Sequence, residues 1–328
     1  MKNKWLKRAL PGLVLLFLAP ILGELLIGHQ APLDFINPKN YLLTALPYGL
    51  GALICRELVI RWKKGKMSLV FLGIAYGLYE EIAVIRSIIN QNWHELEGIG
   101  QYNFWGGINW TYGLMLVHFH IAVSIVSSVL IAEAIFPNRR NEKWLTNPML
   151  ILASIGLALW IPAGFYMSQG IQSIPLYILG ILAIILFVYA AKAIPAQPFK
   201  KLNGKPARPV NFFLLGLVNM ILIFLGTFYE GLKPALPVMF ISLVAVDIIS
   251  LVLVLQWSKN GYVWTDRHKI ALASGFITFF ILLSAVKDLE TGFAGYSIVS
   301  AAGAALLIAL YMIAKKRDNI GKIADKKV

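Results

Sequence analysis

A single cysteine, Cys55, stands in 328 residues, so the fold has no internal disulfide to rely on and the chain gives no sign of a redox compartment. Charge is scarce as well. Asp, Glu, Lys and Arg make up 14% of the sequence, against roughly a quarter in soluble globular proteins. Acids are the rarer sign, with 16 Asp and Glu against 30 Lys and Arg, giving a formal net charge of +14. No Walker phosphate loop, dinucleotide fingerprint or nucleophile elbow occurs, which argues against ATP-driven transport by this chain alone.

What is plentiful is apolar. Hydrophobic residues make up 58% of the chain, in runs of about 20 residues, the length a helix needs to cross a hydrocarbon core of roughly 30 Å. This predicts an all-α polytopic transmembrane helix bundle of about ten spans, at 9–28, 41–61, 67–89, 111–136, 148–168, 174–195, 210–230, 235–257, 269–287 and 293–314. Residues 1–328 read as a single integral membrane domain. Four spans in 9–136 carry most of the buried polar groups, six mostly apolar spans occupy 148–314, and 315–328 is a basic tail. The head "MKNKWLKRALPGLVLLFLAPILGELLIG" has the basic start of a signal peptide. Its apolar run is too long, however, and holds Pro20 and Glu24 without a small-x-small cleavage site, so it reads as a retained first span.

The loops orient the bundle. Only Lys39, Arg86, Lys233 and Lys287 fall on one side, and the other 26 Lys and Arg fall on the opposite side or in the two ends. By the positive-inside rule both termini are cytoplasmic, in a plasma membrane. The basic segments "RWKKGK", "KKLNGKPAR" and "KKRDNIGKIADKKV" then lie among anionic lipid headgroups, and nucleic acid is not an expected partner.

Against this apolar background "AYGLYEEIAVIRSIIN" places Glu80, Glu81 and Arg86 within a span. Gly73 and Gly77 form a small-xxx-small face for close helix packing, and Glu80 falls about 20° from Gly73 at 100° per residue. Two carboxylates so close resist ionising together, and intramembrane acids are costly enough to mark a site or pathway. The next span, "WTYGLMLVHFHIAVSIVSS", puts His118 and His120 at similar depth but about 160° apart around the helix. His120 joins Asn109, Gly113, Ser124 and Ser127 in one polar stripe, whereas His118 reads as structural. Glu24, near the outer end of its span, can join the cluster or reach interfacial water, and mid-membrane Asp247 is a candidate carrier of a transported proton or cation. Arg56, Glu57, Glu133 and Glu230 lie near span ends, where snorkelling or interfacial water accounts for them. The loop "QNWHELEGIGQYNFWGGINW", with Trp93, Tyr102, Phe104, Trp105 and Trp110, reads as an interfacial aromatic belt, and alternatively as a lid.

"GLYEEIAVIRS" resembles the first motif of the CAAX-protease and bacteriocin-processing intramembrane metalloproteases. That resemblance implies zinc held in part by Glu81 and His120, with Glu80 activating water. Here Arg86 follows Glu81 by five residues where the family has four, and His29, His94 and His268, the remaining histidines, all lie in loops. "LAPILGELLIG", "YGLGALICREL", "AYGLYEE" and "NWTYGLMLVHFH" together resemble uncharacterised multipass membrane proteins of bacteria, over roughly the first 140 residues.

Three functions follow. The first expectation is a proton- or cation-coupled transporter of a small solute, without a bound cofactor. Glu80, Glu81 and His120 would relay protons, while Glu24, Arg86, Asn109, Ser124 and Asp247 would line the solute site. The second is a metallohydrolase acting through water activation at Glu80, Glu81 and His120. The third is a non-catalytic binding or immunity protein. Small solute or peptide ligand, and homo-oligomer or monomer, stay open in each.

Overall fold

A computed structural model of the chain describes residues 2–93, 96, 104–168, 171, 173–228, 236–292 and 294–325. His94, Tyr102, Glu230, Lys233 and the last three residues of the expected basic tail lie outside them. Among the described residues nine helices are long and apolar enough to cross a membrane, and the shorter apolar helix Ala9–Leu25 occupies the place of the first expected span. The protein is an all-α polytopic bundle.

Among the described residues ten long helices follow in chain order. Helix α1 (Lys2–Pro20) runs on as a π-helical turn, Ile21–Leu25. Helices α2 (Pro38–Arg61), α3 (Lys66–Val84) and α4 (Trp110–Ile135) complete the first group. The second group comprises α5 (Asn147–Tyr166), α6 (Ile174–Ala193), α7 (Pro209–Phe228), α8 (Leu236–Trp257), α9 (Asp266–Thr291) and α10 (Tyr296–Asp325). The described residues hold one hairpin, β1 (Phe104–Trp105) against β2 (Ile108–Asn109), turned by Gly106 and Gly107, both with positive φ. It leads directly into α4.

The interior belongs to the first group and α9. The apolar window of α4 is 72% buried and that of α5 only 6%. Thus α5, α6 and α8 present leucine and isoleucine faces outward, as a lipid-facing helix must. Helix α5 is broken at Leu159, where Pro162 can neither donate to the carbonyl four residues back nor avoid it.

Proline and glycine set the approach of the central helices. Pro20 deprives the Leu16 carbonyl of its helical donor, and Gly49 of α2 packs on that oxygen. A Cβ at Gly49 would lie 2.2 Å from it. The predicted small-xxx-small face is used: a Cβ at Gly73 would meet the Ile121 Cα at 3.2 Å, and one at Gly77 the Val117 Cα at 3.0 Å. Helix α3 is thereby laid directly on the segment of α4 that carries both histidines.

The third span ends five residues earlier than expected, at Val84 rather than 89. Arg86 takes a left-handed conformation, φ 60°, and a short 3₁₀ turn, Ser87–Ile89, follows. The basic end also departs from expectation, because Arg56, Glu57 and Glu133 do not snorkel. Arg56 and Glu57 are 1% and 0% exposed, and Glu133 is also buried. Arg56 lies 3.6 Å from the Trp144 ring centroid and donates to Glu57 (2.8 Å) and to the carbonyls of Glu142 and Arg140. Glu57 also accepts from Arg61 and the Trp144 amide, and Lys66 pairs with Glu133. The loop 137–146 folds over these groups and removes them from water, which span length alone does not reveal.

Candidate functional site

Three central helices are distorted where they carry polar side chains. The π-helical turn Ile21–Leu25 contains Glu24, the turn Tyr79–Val84 contains Glu80 and Glu81, and the turn His120–Ser127 contains His120 and Ser124. A π-helix widens the ring to i→i+5, rotates the following side chains and frees carbonyls, and such turns gather at functional sites. In α4 two freed carbonyls are recovered by serines, Ser127 Oγ donating to Ala122 and Ser128 Oγ to Val123.

These distortions converge. His120 Nε2 lies 2.9 Å from Glu81 Oε1, and His120 Nδ1 lies 3.2 Å from Ser124 Oγ. Ser87 Oγ donates to the other Glu81 oxygen. Tyr76 donates to Glu80 Oε1 at 2.7 Å, and its ring meets that of His120 edge-on with centroids 5.5 Å apart. The Tyr48 ring lies obliquely against His120, with centroids 5.8 Å apart. Gly51 and Gly23 make room for the two tyrosines, since a Cβ would lie 2.1 Å from the Tyr76 ring and 2.6 Å from the Tyr48 ring respectively. Glu24, Glu80, Glu81 and His120 are each at least nine-tenths buried.

Glu24 Oε2 is 2.7 Å from His29 Nδ1, and the His29 side chain is 55% exposed. Exposed His29 thus reaches one buried carboxyl group, that of Glu24. Among the described residues no Lys or Arg pairs with Glu24, Glu80 or Glu81, and of these three acids Glu81 alone hydrogen-bonds the buried imidazole.

Asp247 is not part of this cluster. It pairs with His118, Nδ1 to Oδ1 at 2.9 Å, and accepts from Asn219, which also donates to Ser250. The two histidines therefore serve opposite faces of α4: His120 turns to α1, α2 and α3, and His118 to α7 and α8. His118, read from sequence as structural, holds a mid-membrane acid, while its Nε2 and Asn219 Oδ1 are buried without a hydrogen bond.

Arg86 is fully buried yet separate from the glutamates. Its guanidinium donates to Ser168 and lies 4.1 Å from the Phe165 ring centroid, tying the end of α3 to α5. Asn109 caps α4 by accepting from the Tyr112 amide at 3.2 Å. Its Nδ2 and the Thr111 hydroxyl beside it are buried and unpartnered. Of the expected polar stripe only Ser124 accompanies His120, because the π turn carries Ser127 toward a carbonyl. Sequence reasoning missed Tyr48, Tyr76 and Ser87. Each is a residue type common in membrane helices, and the glycines opposite the tyrosines were the available signal.

Among the described residues no three His, Cys, Asp or Glu side chains group so as to hold a metal ion. Zinc takes three protein ligands and a water, so the Glu81–His120 donor set does not fit it.

Comparison with curated proteins and with solved structures gave no match. A family model matches residues 13–320, nearly the whole chain. The chain belongs to an uncharacterized membrane protein family.

Proposed function

We propose that this protein is a proton-coupled transporter of a small solute. The observation that carries the proposal is the hydrogen-bonded Glu81–His120 pair, buried where two π-helical turns face each other. A carboxylate and an imidazole at 2.9 Å exchange a proton without moving their helices. π-Helical turns supply the local freedom for a change of register when that proton moves. In this reading Glu81 and His120 hold the coupling proton, and Ser124 and Ser87 fix the orientation of the pair. The solute site lies beside the pair among α1 to α4. The excess of basic residues at one end supports a plasma-membrane orientation with both termini in the cytoplasm.

The test uses the full chain in proteoliposomes with a trapped pH dye, challenged with a panel of amino acids, sugars and organic acids under an inward proton gradient. Solute-evoked proton flux in wild type should disappear in Glu81→Gln and His120→Asn. Undiminished flux in Glu81→Gln contradicts the assignment.

A further inference from the structure

A cavity of about 1260 Å³ opens at the basic end of the bundle, remote from the Glu81–His120 pair. It lies between the turn after α4, the segment leading into α7, the first turn of α9 and the end of α10. Five cationic side chains line it, Arg139, Lys205, Arg208, Arg267 and Arg317, against two acids, Asp266 and Asp318.

The acids are already engaged. Asp266 receives Arg140 at 2.7 Å and Lys269 at 3.5 Å. Asp318 accepts from Thr265 and lies 4.0 Å from Arg267. Arg317 donates to the Ala134 carbonyl, which holds the guanidinium in place without neutralising it. Among the described residues Lys205 and Arg208 have no carboxylate partner. Arg139 is paired with Glu142 at 2.8 Å, so the uncompensated positive charge in this concave space is that of Lys205, Arg208 and Arg317, and there field lines focus and an anion is attracted. Its size exceeds the roughly 300–1,000 Å³ of an ordinary small-molecule pocket, so a bare inorganic anion would leave most of it unfilled. Part of the wall is apolar, from Phe136, Pro137 and Pro206, and suits an organic body behind the charged group.

We infer that this cavity binds a phosphate-bearing organic anion, its phosphate held by Lys205, Arg208 and Arg317. Guanidinium groups match phosphate oxygens with paired donors, and lysine adds a mobile point charge. The same chemistry is offered by a phosphomonoester lipid headgroup entering from the bilayer and by a soluble phosphorylated metabolite. The inference does not depend on the transport reading, because none of these residues belongs to the Glu–His group.

Binding is measured by calorimetry on the full chain in phosphatidylcholine nanodiscs, with two probes, glycerol 3-phosphate and dihexanoyl phosphatidic acid. Saturable binding of glycerol 3-phosphate identifies a soluble source, and binding of the phosphatidic acid alone identifies a lipid. The double variant Lys205→Gln, Arg208→Gln alters exposed side chains and should fold; it should weaken binding by about 100-fold, roughly tenfold per lost charge-assisted contact. Arg317→Gln should weaken it by about tenfold. The control Lys315→Gln, Lys316→Gln removes two exposed charges from α10 that do not line the cavity, and should leave affinity unchanged. Failure of both probes to bind, or an equal loss in the control, overturns the inference.

Discussion

Glu57 is the most heavily engaged acid at the basic end, and replacing it with leucine is a quantitative test of how that end is built. The carboxylate is 0% exposed and accepts from Arg56 Nη1 at 2.8 Å, the Trp144 amide at 2.7 Å and Arg61 Nε at 3.2 Å. Removing one partner of a buried ion pair costs about 3–5 kcal/mol, because the other charge is left uncompensated. The lower end, about 3 kcal/mol, applies to Glu57→Leu, since Arg56 keeps two carbonyl acceptors and Glu133 at 4.0 Å. Arg56→Met should cost a similar amount by stranding part of the Glu57 charge. The double variant removes both charges, so its cost should also be about 3 kcal/mol rather than twice that, a coupling of about 3 kcal/mol. Unfolding of the purified protein in a fixed detergent, followed by tryptophan fluorescence, gives the four stabilities of the cycle. Additivity within about 0.5 kcal/mol would show that Arg56 and Glu57 act independently and would refute the reasoning.

Gly51→Ala should destabilise the protein by about 1–3 kcal/mol, because its Cβ would lie 2.1 Å from the Tyr76 ring and must push the tyrosine off Glu80. A thermal scan that matches wild type would show that the ring has room to spare. Gly77→Leu meets the α4 backbone at Val117 rather than a movable side chain, so a loss of about 3 kcal/mol and a lower yield of monodisperse protein are expected. Normal stability in that variant would mean that α3 and α4 are not in close contact. In a Cys55→Ser background, single cysteines at 106 and 204 should be labelled by impermeant maleimide from opposite faces of the membrane. Labelling of both from one face contradicts the topology.

The fold was legible in the sequence because hydrophobic run length answers directly to bilayer thickness. Every expected span has a helix at its place, with ends moved by a few residues. The larger departures are the third, which the left-handed Arg86 closes five residues early, and the last, which runs on to Asp325 rather than 314. Gly73 and Gly77 also marked the α3–α4 contact correctly, since small residues at that spacing have few other uses in lipid. The pairing of acids with partners was not legible. A uniform 100° per residue places Ser127 beside Ser124 and His120, but the π turn breaks that periodicity. Asp247 and His118 are far apart in sequence, and only packing of α8 on α4 brings them together. Arg56, Glu57 and Glu133 sit near span ends, where snorkelling is the simpler expectation, and only the folded loop after α4 shows them buried.

The claim that Glu81 and His120 form a proton-exchanging pair is tested most directly by charge displacement on a solid-supported membrane after a pH jump, a measurement that needs no knowledge of the solute. Wild type should give a transient current that is lost in Glu81→Gln and in His120→Asn, while Asp247→Asn, altered in the separate His118 cluster, should retain it. A transient of unchanged size in Glu81→Gln, or none in wild type, would contradict the account.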